Sequence, residues 1–221
     1  MGKLRGITVL AMVGSALGLG LTVCAPALAV SDTSQFSVTP GTLAFVTNPD
    51  VPNFAAVTLT GQAQTGNATM NNYSVDDATG SAAGWHVTVN GDSSGGKSPV
   101  FAQYCPNATC GPDSGPGYVA AGASLAADSL TLNSTGASFT GLNGSTGTAP
   151  TQSCNAGCFV DVPSASPTVV AAAATSAGMG TWATTGFSGT SLALALPTTL
   201  KALNTNEVYH LDLVWTLVSG P

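Results

Sequence analysis

The chain has 221 residues, and only 6% of them are charged, against about 25% in an ordinary globular protein. Its 27 glycines, 13 prolines and single glutamate, Glu207, argue against a helical protein, because helix surfaces are usually filled with Glu, Lys, Arg and Gln. The formal net charge of −6 and the lack of a basic patch exclude nucleic acid as a natural partner, and a hydrophobic content of 44% argues against disorder. The composition therefore predicts an exported, turn-rich β protein.

Residues 1–29 have the pattern of a secretory signal peptide. Lys3 and Arg5 form a positive start, an apolar stretch follows, and Ala27-Leu28-Ala29 is a small-x-small cleavage site. Cleavage leaves residues 30–221, with a formal net charge of −8 from two lysines and ten acidic residues. We find no second hydrophobic span and no sorting signal, so we expect a secreted product without a covalent anchor and without membrane association after cleavage. An uncleaved membrane anchor is the alternative.

Short segments rich in Val, Leu, Thr and aromatic residues follow along the rest of the chain. Clusters of Gly, Pro, Asn and Ser separate them, and helical periodicity is weak throughout. The predicted strands cover residues 42–46, 56–60, 85–89, 129–132, 158–162, 168–172, 192–196 and 207–218. Asn90-Gly91 predicts a hairpin turn and residues 198–203 a short helical turn. The pattern predicts a single all-β domain, either a β-sandwich or a Greek-key barrel.

Two stretches, residues 91–118 and 141–157, have the composition of long surface loops, either functional or variable decoration. Together they hold the cysteines that remain after cleavage: Cys105, Cys110, Cys154 and Cys158. An even number of cysteines in an exported protein predicts two disulfides. We expect local pairing, Cys105 with Cys110 and Cys154 with Cys158. The alternatives are cross-pairing, which would staple the two loops together, and a zinc site of four thiolates.

The C-terminal segment alternates between large apolar side chains and smaller or polar ones. Tyr, Leu, Leu, Trp and Leu occupy the odd positions of residues 209–217, and His, Asp, Val, Thr and Val the even positions of residues 210–218. Because successive side chains of a strand point to opposite faces, one face of this strand lies in the core. The same reasoning places Trp85, Val87 and Val89 on one face of the earlier strand.

These residues resemble the two signatures of the WxL domain of Gram-positive surface proteins. The distal signature is matched by Tyr209-x-x-x-Leu213-x-Trp215-x-Leu217-x-x-x-Pro221, and the proximal one by Gly84-Trp85-His86-Val87, preceded by Val75-Asp76-Asp77. Val87 stands where the motif name expects Leu, Val214 stands where Thr is common, and the cysteine-bearing loops are outside the pattern. The resemblance spans the chain from Gln35 to its end.

The resemblance implies a module on the cell surface that attaches non-covalently to the cell wall, through peptidoglycan, and works beside other surface proteins. It implies no cofactor. An adhesin-like module that binds a glycan or a protein through the disulfide-bearing loops is the alternative, and a small secreted hydrolase is the third possibility. Gly91-Asp92-Ser93-Ser94-Gly95 matches G-x-S-x-G, but no helix pattern follows it and His86 precedes the serine. We therefore predict no catalytic residue and no enzymatic activity.

The tryptophans and histidines are the remaining candidate site residues. Trp85 and Trp215 share strand faces with aliphatic residues, so we expect both to pack in the core, with direct ligand contact as the alternative. Trp182 has Gly and Thr neighbours and is the candidate for an exposed, ligand-binding ring. His86, His210 and Asp212 would form a metal site if their strands paired. We expect instead a solvated face, and we predict no metal.

Overall fold

The structure, a computed structural model, describes residues 33–221, which form strands, turns and irregular segments but no helix. The expected signal segment 1–29 and its cleavage site lie outside the described residues. No helix in the described part of the chain is long and apolar enough to cross a membrane. Residues Thr39–Pro221 form one compact unit. Its strands are β1 (Leu43–Thr47), β2 (Gln64–Ala68), β3 (Ser74–Asp77), β4 (Trp85–Gly91), β5 (Ala102–Cys105), β6 (Thr109–Cys110), β7 (Asp113–Ser114), β8 (Gly117–Tyr118), β9 (Leu130–Leu132), β10 (Ser138–Leu142), β11 (Thr151–Gln152), β12 (Cys158–Phe159), β13 (Thr168–Ala173), β14 (Gly180–Thr185), β15 (Leu192–Leu196), β16 (Val208–His210) and β17 (Leu213–Ser219).

Three four-stranded sheets form the frame of this unit. Their strand orders are β1-β3-β14-β10, β11-β13-β4-β17 and β12-β9-β15-β2, and every strand pair is antiparallel. Strands β16, β5 and β8 form a smaller sheet, and β6 pairs with β7. The predicted fold class, all-β and sandwich-like, is confirmed.

The core forms where the alternating strands turn their apolar faces inward. Trp85, Val87 and Val89 of β4 are fully buried, as the period-two pattern predicts. On β15 the three leucines are buried while the alanines between them are more exposed. The ring of Phe139 packs edge-to-face against Trp85 and against Tyr73, with centroids 5.9 and 6.0 Å apart. Such aromatic contacts add to the apolar area that the rings bury.

A buried carboxylate connects two neighbouring segments of the core. Asp161 is 1% exposed. Its oxygens accept hydrogen bonds from the Ser129 amide at 2.9 Å, the Ser129 hydroxyl at 2.8 Å and the Leu130 amide at 3.0 Å. The carboxylate therefore satisfies backbone donors that would otherwise be buried without partners.

The cysteines pair locally. Cys105 is joined to Cys110, and Cys154 is joined to Cys158. The favoured pairing is confirmed, and cross-pairing and the zinc site are excluded, because all four sulfurs are in disulfides. Residues 91–118 are more regular than predicted, since β5 to β8 lie within them.

Several predicted elements differ from the structure. Residues 56–60 form no strand, and the nearby strand is β2. Asn90-Gly91 continues β4 instead of turning, because Gly91 pairs with Leu213 and its amide bonds the Val162 carbonyl. The predicted C-terminal strand is interrupted at residues 211–212, where the Asp212 amide donates to the Ser98 carbonyl. The helical turn expected at residues 198–203 does not form: a β-turn closed by a bond from the Leu200 amide to the Pro197 carbonyl is followed by irregular chain.

Candidate functional site

The two signature segments lie side by side in one sheet. β4 carries the proximal residues and β17 the distal ones, with Val87 opposite Leu217 and Val89 opposite Trp215. Beyond the paired strands, the Gly220 amide donates to the Gly84 carbonyl at 2.9 Å. The motif residues therefore form one paired unit, although about 130 positions separate them along the chain.

Trp85 is a core residue. Its ring is 0% exposed, and its Nε1 donates to the carbonyl of Gly178 at 3.1 Å. The preceding Gly84 has φ +78°, and a Cβ there would overlap the carbonyl oxygen of Ala173. Only glycine fits this backbone approach. The proximal signature thus combines a buried indole with the glycine that allows β4 to begin beside residues 173–174.

Trp215 is the signature tryptophan that reaches the surface. It is half-buried and packs against the core, as expected, but one side borders a shallow cleft of about 280 Å³. Phe45, Asn48 and Pro49 form the rest of that cleft. Trp215 is therefore both a packing residue and a partly accessible ring.

The expectation of an exposed ring at Trp182 is wrong. The side chain is 4% exposed, and its Nε1 donates to the Met179 carbonyl at 2.9 Å. β14 is an inner strand of its sheet, where Trp182 pairs with Val75 on one side and Gly141 on the other. A ring on an inner strand, facing the core, has no surface to offer a ligand.

A groove of about 1240 Å³ opens between residues 50–59 and residues 200–213. Apolar side chains line much of it, including Phe54, Phe101, Leu194, Leu196 and Leu213. Tyr209 of the distal signature also lines it, and its hydroxyl donates to the Lys201 carbonyl at 3.0 Å. The groove is large for a small-molecule site, since such sites are typically about 300–1,000 Å³.

Three rings cluster on the small sheet beside this groove. Tyr104 of β5 lies opposite Tyr118 of β8, and their centroids are 5.0 Å apart. His210 of β16 stacks on Tyr104 at 4.7 Å with an interplanar angle of 29°. Directly opposed and diagonal side chains of neighbouring strands are close enough to touch, which explains the cluster. Tyr104 and His210 also line the groove, so two of the three rings form part of its wall.

Asp212 fixes the polar side of this ring cluster. Its Oδ2 accepts hydrogen bonds from the Tyr118 hydroxyl at 2.6 Å and from the Ser98 amide at 3.0 Å. Its Oδ1 lies 3.5 Å from Nε2 of His210. Burial, followed by the hydrogen bond to Asp212, raises the pKa of Tyr118, so its phenol stays protonated as a donor. The arrangement offers flat ring faces beside a carboxylate, which suits a ligand with both apolar and hydroxyl or amide surfaces.

The two histidines do not come together. His86 lies on β4, where its Nδ1 bonds the Gly220 carbonyl at 2.7 Å, whereas His210 lies on β16. Within residues 33–221 no group of three or more His, Cys, Asp or Glu side chains could hold a metal ion. Tyr104 and Tyr118 were not predicted as site residues. Only the pairing of β5 with β8 and β16, which the sequence does not state, brings them beside His210.

The G-x-S-x-G segment forms a charged turn. The Ser94 amide and hydroxyl donate to Oδ1 of Asp92, and Lys97 Nζ lies 2.6 Å from Oδ2. The hydrogen bond from Lys97 and those from Ser94 lower the pKa of Asp92 to about 2. No helix follows the segment, as expected.

Comparison with known proteins gives one match. The family model described as "WxL domain surface cell wall-binding" matches residues 35–221. No curated protein and no solved structure matches the chain. The family described by that model is a binding family and not an enzymatic one. The match covers the same span as the resemblance inferred from the two signatures.

Proposed function

The chain belongs to the WxL domain family of surface cell wall-binding domains, and from that premise we propose that it attaches non-covalently to peptidoglycan through the groove between residues 50–59 and 200–213. The observation that carries the proposal is the groove itself, whose wall includes Tyr209 and Leu213 of the distal signature. Tyr104, His210 and Asp212 form its polar and aromatic side, and Tyr118 supports them from outside the lining through its contacts with Tyr104 and Asp212. We propose no catalytic step.

The chemistry of the groove suits a polymer of N-acetylated sugars and short peptides. Sugar rings have apolar faces that stack on aromatic side chains, and acetyl methyl groups fit an apolar floor. Hydroxyl and amide groups of such a ligand are donors for the carboxylate of Asp212. Among the other signature residues, Trp85, Val87 and Leu217 support the binding surface through the fold, because they pack in or against the core.

The charge of the protein predicts that wall binding depends on short-range contacts and not on long-range electrostatic attraction. The product predicted after cleavage has a formal net charge of −8, and its two lysines are Lys97 and Lys201. Lys97 is paired with Asp92, and Lys201 is exposed beside the groove. Gram-positive walls carry anionic polymers, which repel such a protein at long range. We therefore expect moderate salt to leave wall binding unchanged or to strengthen it.

The experiment is co-sedimentation of the secreted protein with washed peptidoglycan sacculi stripped of protein and teichoic acids. We expect saturable pelleting. Tyr104→Ala should weaken binding about tenfold or more, because truncating a central aromatic contact typically costs about 2 kcal/mol. Phe159→Ala is the matched control, since Phe159 is an aromatic residue of β12, 46% exposed and outside the groove.

Two results would overturn parts of the proposal. Equal pelleting of Tyr104→Ala and the parent protein, both folded, would remove the groove as the contact surface. Absence of pelleting by the folded, oxidised parent would remove peptidoglycan as the ligand. The next assay would then be capture by immobilised glycans or other surface proteins, with the Cys105–Cys110 and Cys154–Cys158 loops as the mutagenesis targets.

A further inference from the structure

The groove borders a strand edge that has no neighbouring strand. Residues 209–213, which run from β16 into β17, all line the groove. In the sheets of the described residues, β16 pairs with β5 alone and β17 with β4 alone, so each is the outermost strand of its sheet. The outer edge of such a strand presents main-chain N–H and C=O groups without partners.

Asp212 fixes the direction of the main-chain groups in this segment. Its amide donates to the Ser98 carbonyl at 2.9 Å, and its carbonyl accepts a hydrogen bond from the Asp92 amide at 2.8 Å. Both partners belong to the segment that joins β4 to β5. Because the main-chain groups of successive residues in an extended chain alternate between its two sides, those of Leu211 and Leu213 face the opposite, unpaired side.

Tyr209 has the same orientation. Its partner in register on β5 is Gln103, whose amide donates to the Ala123 carbonyl at 2.8 Å and whose carbonyl accepts from the Val119 amide at 3.0 Å. Gln103 therefore uses its main-chain groups on the other side of β5. Those of Tyr209 lie on the unpaired side of β16.

The alternate residues Tyr209, Leu211 and Leu213 form the open edge of the groove. Within residues 33–221 their main-chain N–H and C=O groups form no hydrogen bond. These groups repeat at every second residue, roughly 6.8 Å apart. An extended peptide presents acceptors and donors with the same repeat, whereas a glycan presents hydroxyl groups and one acetamido group on each acetylated sugar. The open edge therefore favours a peptide.

The charges on the groove wall also favour a peptide. Lys201 is exposed, lines the groove and belongs to no ion pair of the described residues. Asp50 is exposed on the same wall, and its Oδ2 accepts a hydrogen bond from Nδ2 of Asn71 at 2.8 Å. In peptidoglycan, the free carboxylates and amines belong to the peptide stems, and the N-acetylated glycan strands that carry them are neutral. Both signs of charge therefore have a counterpart in the peptide and none in the glycan.

We propose that a peptide stem of peptidoglycan binds along the open edge as an added strand, with one of its carboxylates at Lys201. This inference rests on the function proposed above and names the part of the polymer that the groove holds. Strand addition draws its affinity from main-chain hydrogen bonds, and the apolar groove wall contacts the side chains of the added segment.

The test is amide hydrogen exchange of the secreted protein, followed by NMR. The ligands are stem peptides released from sacculi by an amidase and, separately, the bare glycan strands from the same digest. In the free protein the open-edge amides should exchange fast and the Asp212 amide slowly, because Asp212 is hydrogen-bonded. Stem peptides at ten times their Kd should slow at least two of the open-edge amides roughly tenfold. Glycan strands should leave all three unchanged.

A pair of lysine variants tests the charge contact. Lys201→Gln should raise the Kd for stem peptides about two- to fivefold, the effect of losing a surface charge pair. Lys97→Gln is the matched control, because Lys97 lies outside the groove and pairs with Asp92. It should leave the Kd unchanged.

The possible failures are distinguishable. Slow exchange of the open-edge amides in the free protein, or equal slowing by glycan strands, would overturn the inference. An unchanged Kd in Lys201→Gln would overturn the role of this lysine. Sacculi that do not pellet the folded parent protein would remove peptidoglycan as the ligand, whereas pelleting without protection of the open edge by stem peptides would remove the peptide assignment alone.

Discussion

Replacing Trp85 with Phe separates packing from ligand contact in the proximal signature. The variant keeps an aromatic ring opposite Phe139 but removes the indole Nε1, which donates to the Gly178 carbonyl at 3.1 Å. Gly178 is buried, so its carbonyl loses a partner that water cannot easily replace. The smaller ring also leaves a void in a fully buried site.

The expected cost follows from these two losses. An unpaired buried acceptor costs about 1–3 kcal/mol, and the cavity adds about 1 kcal/mol or more. We therefore expect the free energy of unfolding to fall by about 3 kcal/mol, which lowers Tm by roughly 6–12 °C in a protein of this size. Urea unfolding followed by circular dichroism measures the first quantity, and calorimetry measures the second.

Binding to sacculi supplies the second readout for Trp85→Phe. At a temperature where the variant is still folded, its Kd should equal that of the parent, because the ring has no exposed surface. The half-buried Trp215 gives the comparison, since Trp215→Phe should cost about 1 kcal/mol or less in stability. A stable Trp85→Phe variant that no longer bound sacculi would refute the assignment of Trp85 to the core.

Three further predictions concern the fold. Gly84→Ala should lower the free energy of unfolding far more than Gly61→Ala. Both positions have positive φ, but only at Gly84 would a Cβ meet neighbouring backbone atoms. The difference between the two variants in urea unfolding measures that steric cost. Asp161→Ala should lower the free energy of unfolding by about 3 kcal/mol, since it leaves two buried backbone amides without acceptors, and a smaller loss than 1 kcal/mol would contradict this account. The pKa of Asp92 is lowered to about 2 in the folded state, so the ionised carboxylate stabilises the fold at pH values above the unfolded pKa of about 4. This contribution is lost as the pH falls from about 4 toward 2. Over that range, the Tm of Asp92→Asn should therefore decline less than the Tm of the parent protein.

The strands that the sequence predicts best are those with one face in the core. β4, β15 and the paired part of β17 alternate because burial selects apolar residues at every second position. Residues 56–60 show why the same pattern fails elsewhere. Val57 and Leu59 alternate with small and polar residues, yet both are exposed, and no neighbouring strand pairs with this segment. An alternating pattern of apolar and polar residues indicates which side chains share a face of the strand. It does not indicate whether a partner strand is present.

The site was less predictable because its members meet through non-local pairing. Cys105 and Cys110 are five positions apart, and their local pairing was favoured among the connectivities that the sequence left open. Tyr104 and His210 are more than a hundred positions apart, and they stack only because β5 pairs with β16. The prediction of an exposed Trp182 was wrong because it used only the neighbours along the chain. Small and polar neighbours usually indicate exposure, but on an inner strand of a sheet small residues can also lie beside a buried ring.

The placement of the signature residues determines how binding data on this family should be interpreted in this chain. Trp85, Val87 and Leu217 pack in the paired strands β4 and β17, whereas Tyr209 and Leu213 line the groove. Replacing a residue of the first group abolishes binding whenever it unfolds the protein, whatever the ligand contacts. Loss of binding therefore identifies a contact residue only where Tm is preserved. Half-buried groove residues such as Tyr104 meet that condition best, and the signature tryptophan Trp85 meets it least.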